Sequence, residues 1–278
     1  MLNQDIKTHG VSERRKVESL FDEKMEEIER NGWAVIENAI PRNELDECRR
    51  RIDDAYAAQV AEFGGEERLA QAKDQNVVRT ILAYDDFFLR YVNNKVVMEY
   101  VRAMLGKNVA LSSQAGIINR PAETTVISHV WHRDLQYQHF VCSKRLAAQA
   151  LFCVDDFTPE TGGTLVLPAS HKFSEFPSDG YLLKHQIQVS APAGSVIIFD
   201  SMLYHRTGQN VGKNVRRGMN NVYVAPIIQQ QISYPAMLKG KFSEDPEFRQ
   251  LLGYEWGPPN SLVEWREERL RRLLSPGS

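Results

Sequence analysis

Apolar positions recur along the chain with two different periods, and the change of period divides it into three zones. In residues 1–106 the dominant spacing is helical. After Ser12, a candidate N-cap, Val17, Leu20, Phe21 and Ile28 recur among charged residues, which predicts an amphipathic helix stopped by Asn31-Gly32. The short apolar run WAVIENA (33–39) reads as a strand. Pro41 stands where a helix starts, and the segment after it runs to Gly64-Gly65. Residues 85–106 set Phe88, Val92, Val96, Val97, Tyr100, Val101 and Leu105 at helical spacing and close on Gly106, which predicts one helix with a glycine stop.

From 108 to 225 the pattern changes to short runs rich in β-branched and apolar residues, with Gly, Pro and Asn between them. VALSSQAGIIN, TVISHVWHRD, RLAAQALFCVDDF, GTLVLPAS, HQIQVSA, SVIIFDSMLYHRTG and VRRGMNNVYVAP each read as containing strand. Strands this closely spaced predict a β-sandwich or barrel, and the lack of strand–helix alternation excludes a doubly wound parallel sheet. Residues 226–278 return to helices and turns. SLVEWREERLRRLL opens with Ser261 and Glu264 at capping-box spacing and reads as a peripheral, solvated helix. No internal repeat or low-complexity linker interrupts the chain, so the expectation is one domain over 1–278.

Composition narrows the function. Of 278 residues, 42% are hydrophobic and 25% charged, an ordinary globular balance. The 34 Lys and Arg nearly cancel the 36 Asp and Glu, leaving a net charge of −2, which speaks against nucleic acid or an anionic membrane as partner. Apolar runs such as SVIIF are strand-sized rather than membrane-sized. The first residues lack the apolar core of a secretory signal. Cys48, Cys142 and Cys153 are odd in number and show no C-x-x-C spacing, so neither a disulfide framework nor structural zinc is expected. These features predict a cytoplasmic protein.

His132-Arg133-Asp134-Leu135 matches the opening of a kinase catalytic loop. That reading fails on the rest of the chain. His139 stands where the metal-binding Asn belongs, and no D-F-G, glycine-rich phosphate loop or V-A-I-K lysine is present. On a strand, residues i and i+2 share a face, so His132 and Asp134 project together and Arg133 points away. One imidazole and one carboxylate make most of a 2-His-1-carboxylate metal site, and His205, after the strand pattern AGSVIIFDSMLYH, is the candidate for the third ligand. His129 and His139 fall at odd offsets from His132 and read as spectators; His171 sits in a loop context, and His185 and His9 lack ligand-like neighbours. Arg216, early in the next strand, is placed to hold a carboxylate by its planar fork, and since Arg217 is its neighbour, at most one of the two faces inward.

Residues 30–225 resemble the phytanoyl-CoA dioxygenase family of Fe(II)- and 2-oxoglutarate-dependent oxygenases. The resemblance rests on WHRD (131–134), DDFTPETGGTLVLPASHK (155–172), APAGSVIIFDSMLYHRTGQN (191–210) and Arg216. Thr161 and Ala169 depart from the family's usual Asn and Gly in the middle segment. The resemblance implies a mainly β fold with α: a double-stranded β-helix, or jelly-roll barrel of the cupin type, with helices packed outside. It implies His132, Asp134 and His205 as iron ligands and Arg216 as the residue binding 2-oxoglutarate, with Thr207 and Gln114 beside the cosubstrate. It also implies oxidation of a substrate C–H bond by O2 with release of succinate and CO2. The retained Asp134 favours hydroxylation over halogenation, which in related enzymes follows loss of that carboxylate. Arg133, Gln149, Phe152, Asn220 and Tyr223 lie in or beside strands that could line the cavity. The expected partner is a small molecule, with a secondary metabolite as plausible as a CoA thioester. The alternative is a metal- or ligand-binding jelly roll of the same ancestry without redox turnover, which would have little use for a buried Arg216.

Overall fold

A computed structural model describes residues 6–122, 129–135 and 140–274. His139 therefore lies outside the described residues. The first helix, α1 (Leu20–Asn31), begins later than Ser12 predicts. Its N-cap is Ser19, whose hydroxyl accepts from the Asp22 amide, and Gly32 ends it at φ 95°. The preceding residues have no face to bury, and Val11 and Val17 are exposed. β1 (Trp33–Ile36) follows, and after Pro41 a 3-10 turn leads into α2 (Leu45–Phe63), which buries Leu45, Cys48, Ile52, Ala55 and Tyr56 along one stripe and stops at Gly64. After α3 (Glu66–Gln71) comes β2 (Val77–Arg79), a strand inside the zone expected to be mostly helical.

The helix expected over 85–106 is two helices, α4 (Leu89–Val92) and α5 (Lys95–Leu105). Asn93-Asn94 breaks the period. Asn94 caps α5 through the Val97 amide and also donates to the Ala39 carbonyl, which turns the chain over the sheet.

The β zone contains β3 (Ala110–Asn119), β4 (Ala147–Cys153), β5 (Leu165–Val166), β6 (Ile187–Gln188), β7 (Val196–Asp200), β8 (His205–Arg206) and β9 (Arg216–Val224). A further helix, α6 (Asp179–His185), lies between β5 and β6, and α7 (Tyr234–Leu238), α8 (Pro246–Leu251) and α9 (Leu262–Leu274) complete the chain. Pairing is antiparallel throughout. One sheet has the order β1-β7-β4-β9-β3-β2, the other β6-β5-β8. The expected closed barrel is thus resolved as two separate sheets among the described residues. Among the described residues the short strands β5, β6 and β8 form no ladder with the large sheet, and beyond its own sheet β8 has an isolated bridge to His132, so strand pairing does not run continuously around the core.

Alternation along the large sheet decides what each side chain meets. Ala148, Ala150, Phe152, Val196, Ile198, Met219 and Tyr223 join the helices in the main core. Leu151, Cys153, Ile197 and Phe199 point the other way and meet Val166, Val189 and Leu203 in a second core between the sheets. The functional cavity opens beside that second core. No helix among the described residues is long and apolar enough to cross a membrane.

Candidate metal centre

His132, Asp134 and His205 offer ligand atoms that all lie within 4.8 Å of one another. The segment carrying the first two is not the regular strand expected at 125–134. Residues 123–128 lie outside the described part, and His132 forms an isolated bridge to His205. In that bridge the two backbones exchange both hydrogen bonds, at 3.0 and 3.1 Å, and the Asp134 amide donates to the Ser201 carbonyl. Backbone pairing therefore brings the ligands together, and their ring centroids stand 4.4 Å apart. His132 and Asp134 still converge, as the i, i+2 reading requires.

Each imidazole is oriented for ligation. Nδ1 of His132 lies 2.7 Å from the Val130 carbonyl, and Nδ1 of His205 lies 2.9 Å from that of Leu203. A carbonyl only accepts, so both Nδ1 atoms carry a proton and both Nε2 atoms are left to face the cluster, where His132 Nε2 is in hydrogen-bond contact with Asp134 and would give up its proton to a bound cation. These Nε2 atoms approach Asp134 Oδ1 at 3.2 and 3.9 Å. Bonds of about 2.1 Å at right angles would set donor atoms about 3 Å apart, so the cluster needs little movement to close on an ion. Two nitrogens and one carboxylate on one side, with the opposite side facing a cavity, fit non-haem iron.

The charges fit a cation as well. Burial works against the Asp134 carboxylate, but the His132 hydrogen bond and the two imidazoles outweigh it and hold its pKa at about 2. Burial pushes His205 down to about 4, helped by the neighbouring His132. His132 is also opposed by burial, yet the Asp134 hydrogen bond and charge raise it.

The cavity in front of the cluster has a volume of about 490 Å³. Gln149, Asn220 and Thr207 line it, as the sequence anticipates. Arg216 starts β9 on the same face as Asn220 and is 1% exposed. Its guanidinium lies over the Phe157 ring and donates to the Gly162 carbonyl at 2.9 Å, while its Nε has no partner. Burial lowers its pKa to about 10, against the pull of Cys153 and Asp155. No carboxylate among the described residues forms an ion pair with this cation, and an incoming carboxylate would satisfy both its charge and its free Nε. Arg217 turns outward to Asp53 and Asp155, which settles which of the pair faces inward.

Three expected residues are placed elsewhere. Gln114 is fully buried on the helix side of β3, where its Oε1 accepts from the Leu82 amide. Phe152 packs edge-on against Tyr91, and the Tyr223 hydroxyl donates to the Val92 carbonyl. All three sit on the wrong face of the sheet for the cavity, because strand parity separates them from Ser113, Leu151 and Val222, which line it. Arg133 touches the cavity wall, but its guanidinium binds the carbonyls of Ser170 and Phe173. Conversely, β2 contributes Val77 and Arg79, and the 226–235 loop contributes Gln231, all missed by the sequence reading. Gly162 was also missed. The paired glycines of TGGT were the available signal, since a Cβ at Gly162 would stand 2.3 Å from the Gly208 carbonyl.

The family profile described as phytanoyl-CoA dioxygenase matches residues 28–218. The chain belongs to the phytanoyl-CoA dioxygenase family. As a member it is a 2-oxoglutarate-dependent non-haem iron dioxygenase, an oxidoreductase. The match contains all three members of the metal cluster and Arg216. A Mycobacterium tuberculosis protein described as uncharacterized is 29% identical over 252 residues, covering 88% of this chain and 91% of its own length. Among solved structures, EctD from S. alaskensis, determined with 2-oxoglutarate and 5-hydroxyectoine, superposes with a TM-score of 0.61 at 20% identity, covering 74% of this chain and 76% of that one. The epimerase SnoN, determined with Fe3+, alpha ketoglutarate and nogalamycin RO, gives 0.55 at 16% identity, covering 74% and 83%. At these identities the two structures establish likeness of fold.

Proposed function

We propose that this family member hydroxylates a C–H bond of a small molecule, with His132, Asp134 and His205 holding Fe(II) and Arg216 holding the distal carboxylate of 2-oxoglutarate. The observation that carries the reading is Arg216: fully buried, without an acidic partner, and on the sheet face that lines the cavity. A protein that only bound metal would gain nothing from a desolvated guanidinium there. Thr207, 8% exposed and lining the same cavity, is placed to hydrogen-bond the cosubstrate. The two antiparallel sheets enclosing this site support reading the architecture as an open, distorted double-stranded β-helix.

Iron and 2-oxoglutarate together supply the O2-dependent oxidation, with succinate and CO2 as spent products. The chain supplies position and electrostatics. Asp134 stays ionised and His205 neutral near pH 7, so two of the three donors are ready without proton release. Leu151, Phe199 and Val222 keep the cavity wall apolar, which limits water at the reacting bond. The presence of Asp134 as third ligand leaves no vacancy for a halide and favours hydroxylation.

The test is anaerobic titration of the protein with Fe(II), with and without 2-oxoglutarate, followed by succinate assay on admitting O2. A visible charge-transfer band that requires both components is expected, and Asp134→Ala and His205→Ala should each abolish it. If both variants kept the band and succinate release, the ligand assignment would be wrong. If the wild-type protein bound Fe(II) but gave no band, non-redox metal binding would replace it.

A further inference from the structure

Two hydrogen-bonding atoms beside the metal centre have no partner among the described residues. Asn220 on β9 donates through Nδ2 to Gln149 Oε1 on β4 at 2.9 Å, and the same Nδ2 approaches Asp134 Oδ2 at 3.4 Å. The carboxylate fixes this arrangement. Asp134 can only accept, so Asn220 turns its NH2 group toward it and its Oδ1 away. Gln149 must then accept with Oε1, which leaves its NH2 as a spare donor. Both leftover atoms, Gln149 Nε2 and Asn220 Oδ1, are buried and have no partner among the described residues. Gln149 as a whole has no exposed surface, and both residues line the cavity. A buried donor and acceptor left open in this way favour any occupant that bonds them.

Apart from Arg216, which the proposed function gives to the cosubstrate, the charged groups lining the cavity are already engaged. Arg79 is paired with Asp74, Arg133 is turned to the carbonyls of Ser170 and Phe173, and Asp134 faces the two imidazoles. The remaining wall includes Val77, Ile117, Leu151 and Val222. Nothing there rewards a charged group on the substrate, and burying an unpaired charge is costly.

Building on the function proposed above, we infer that the substrate is an uncharged, largely apolar molecule anchored by a cis amide, such as a lactam or the edge of a cyclic peptide. Gln149 Nε2 donates to the amide carbonyl and Asn220 Oδ1 accepts from the amide N–H. Two separate side chains presenting one donor and one acceptor suit adjacent C=O and N–H groups better than a single hydroxyl. Because Asn220 also reaches Asp134, the anchor sets the carbons next to the amide beside the metal ligands. That is the placement a regioselective oxidation needs.

The test uses protein loaded with Zn(II) as a diamagnetic substitute and 2-oxoglutarate, titrated with ε-caprolactam or with cycloheptanone, which has the ring and the acceptor but no N–H. Heteronuclear NMR follows the side-chain amide signals of Gln149 and Asn220. Caprolactam should shift both signals and bind about tenfold more tightly than cycloheptanone, the loss expected when Asn220 Oδ1 is left unpaired. Asn220→Leu should erase that preference, whereas Gln149→Leu should weaken both rings alike, since both carry the carbonyl. Equal binding of the two rings, or no shift at the solubility limit of caprolactam, overturns the inference. So does saturation of both signals by 2-oxoglutarate alone, which would assign the pair to the cosubstrate. The iron–2-oxoglutarate absorption band reports separately on the underlying function, so its absence sinks that reading, whereas a present band with no lactam preference sinks only this one.

Discussion

The Arg133 guanidinium lies 3.9 Å from the centre of the Tyr204 ring. Arg133 stands between His132 and Asp134 and Tyr204 directly precedes His205, so side chains that point away from the cluster lock its two segments together. Ser170 completes the clamp: its carbonyl accepts from Arg133, and its hydroxyl accepts from the Tyr204 amide. Arg133→Met keeps the apolar stem and removes the donors. Metal affinity should fall by roughly 10- to 100-fold, as for other groups that orient ligands. Co(II) titration checks it, and an unchanged affinity would remove Arg133 from any positioning role.

The cosubstrate role proposed for Arg216 comes at a cost to the resting protein. Arg216→Met removes a buried cation that makes no ion pair among the described residues, so the cosubstrate-free variant should gain about 1–2 kcal/mol of stability in urea unfolding. Stabilisation by added 2-oxoglutarate should vanish in the variant and persist in the wild type. Destabilisation of the free variant would mean that the Gly162 and Phe157 contacts outweigh desolvation.

Gly162 holds the other end of that contact. At φ 75°, with a Cβ placed 2.3 Å from the Gly208 carbonyl and 2.6 Å from Asn119 Nδ2, it has no room for a side chain. Gly162→Ala should cost about 2–3 kcal/mol in stability. Because the Gly162 carbonyl anchors Arg216, the apparent KM for 2-oxoglutarate should rise more than the metal dissociation constant. Equal effects on both would point to general unfolding.

His171 gives the fold an acid-sensitive contact away from the metal. Burial, with Lys172 and Arg145 adding to it, lowers its pKa from 6.5 to about 4. The fold therefore favours the neutral ring. That contribution is fully present above pH 6.5 and is lost as pH falls toward 4, because the unfolded chain takes up the proton first. Allowing for solvent screening at a partly exposed ring, the loss should be about 2 kcal/mol. Urea unfolding at both pH values, compared between wild type and His171→Gln, isolates it. Parallel pH profiles would exclude His171 as the source.

The elements most legible in the sequence were those whose signal is local. The Gly32, Gly64 and Gly106 stops and the long amphipathic α2 follow from periods and caps within a few residues. His132, Asp134, His205 and Arg216 were legible because side-chain chemistry and short spacings mark them. The break at Asn93-Asn94 and the strand β2 were not, since apolar period continues through the first, and the second is defined by its pairing with Ile117, Gly116 and Ala115.

The substrate residues divide along the same line. Gln149 and Phe152 lie on one strand, as do Asn220 and Tyr223, and composition alone favours neither member of a pair. Parity on the sheet, fixed by which face the helices cover, sends Gln149 and Asn220 to the cavity and Phe152 and Tyr223 to the core. The sequence by itself offered the two histidines, the carboxylate and the arginine as candidates, because side-chain type and the His-x-Asp interval are local properties. Tertiary structure alone decided that His132 pairs with His205 across a backbone bridge, and that a spare donor and acceptor meet beside Asp134. Both depend on register between segments distant in the chain, which no local pattern encodes.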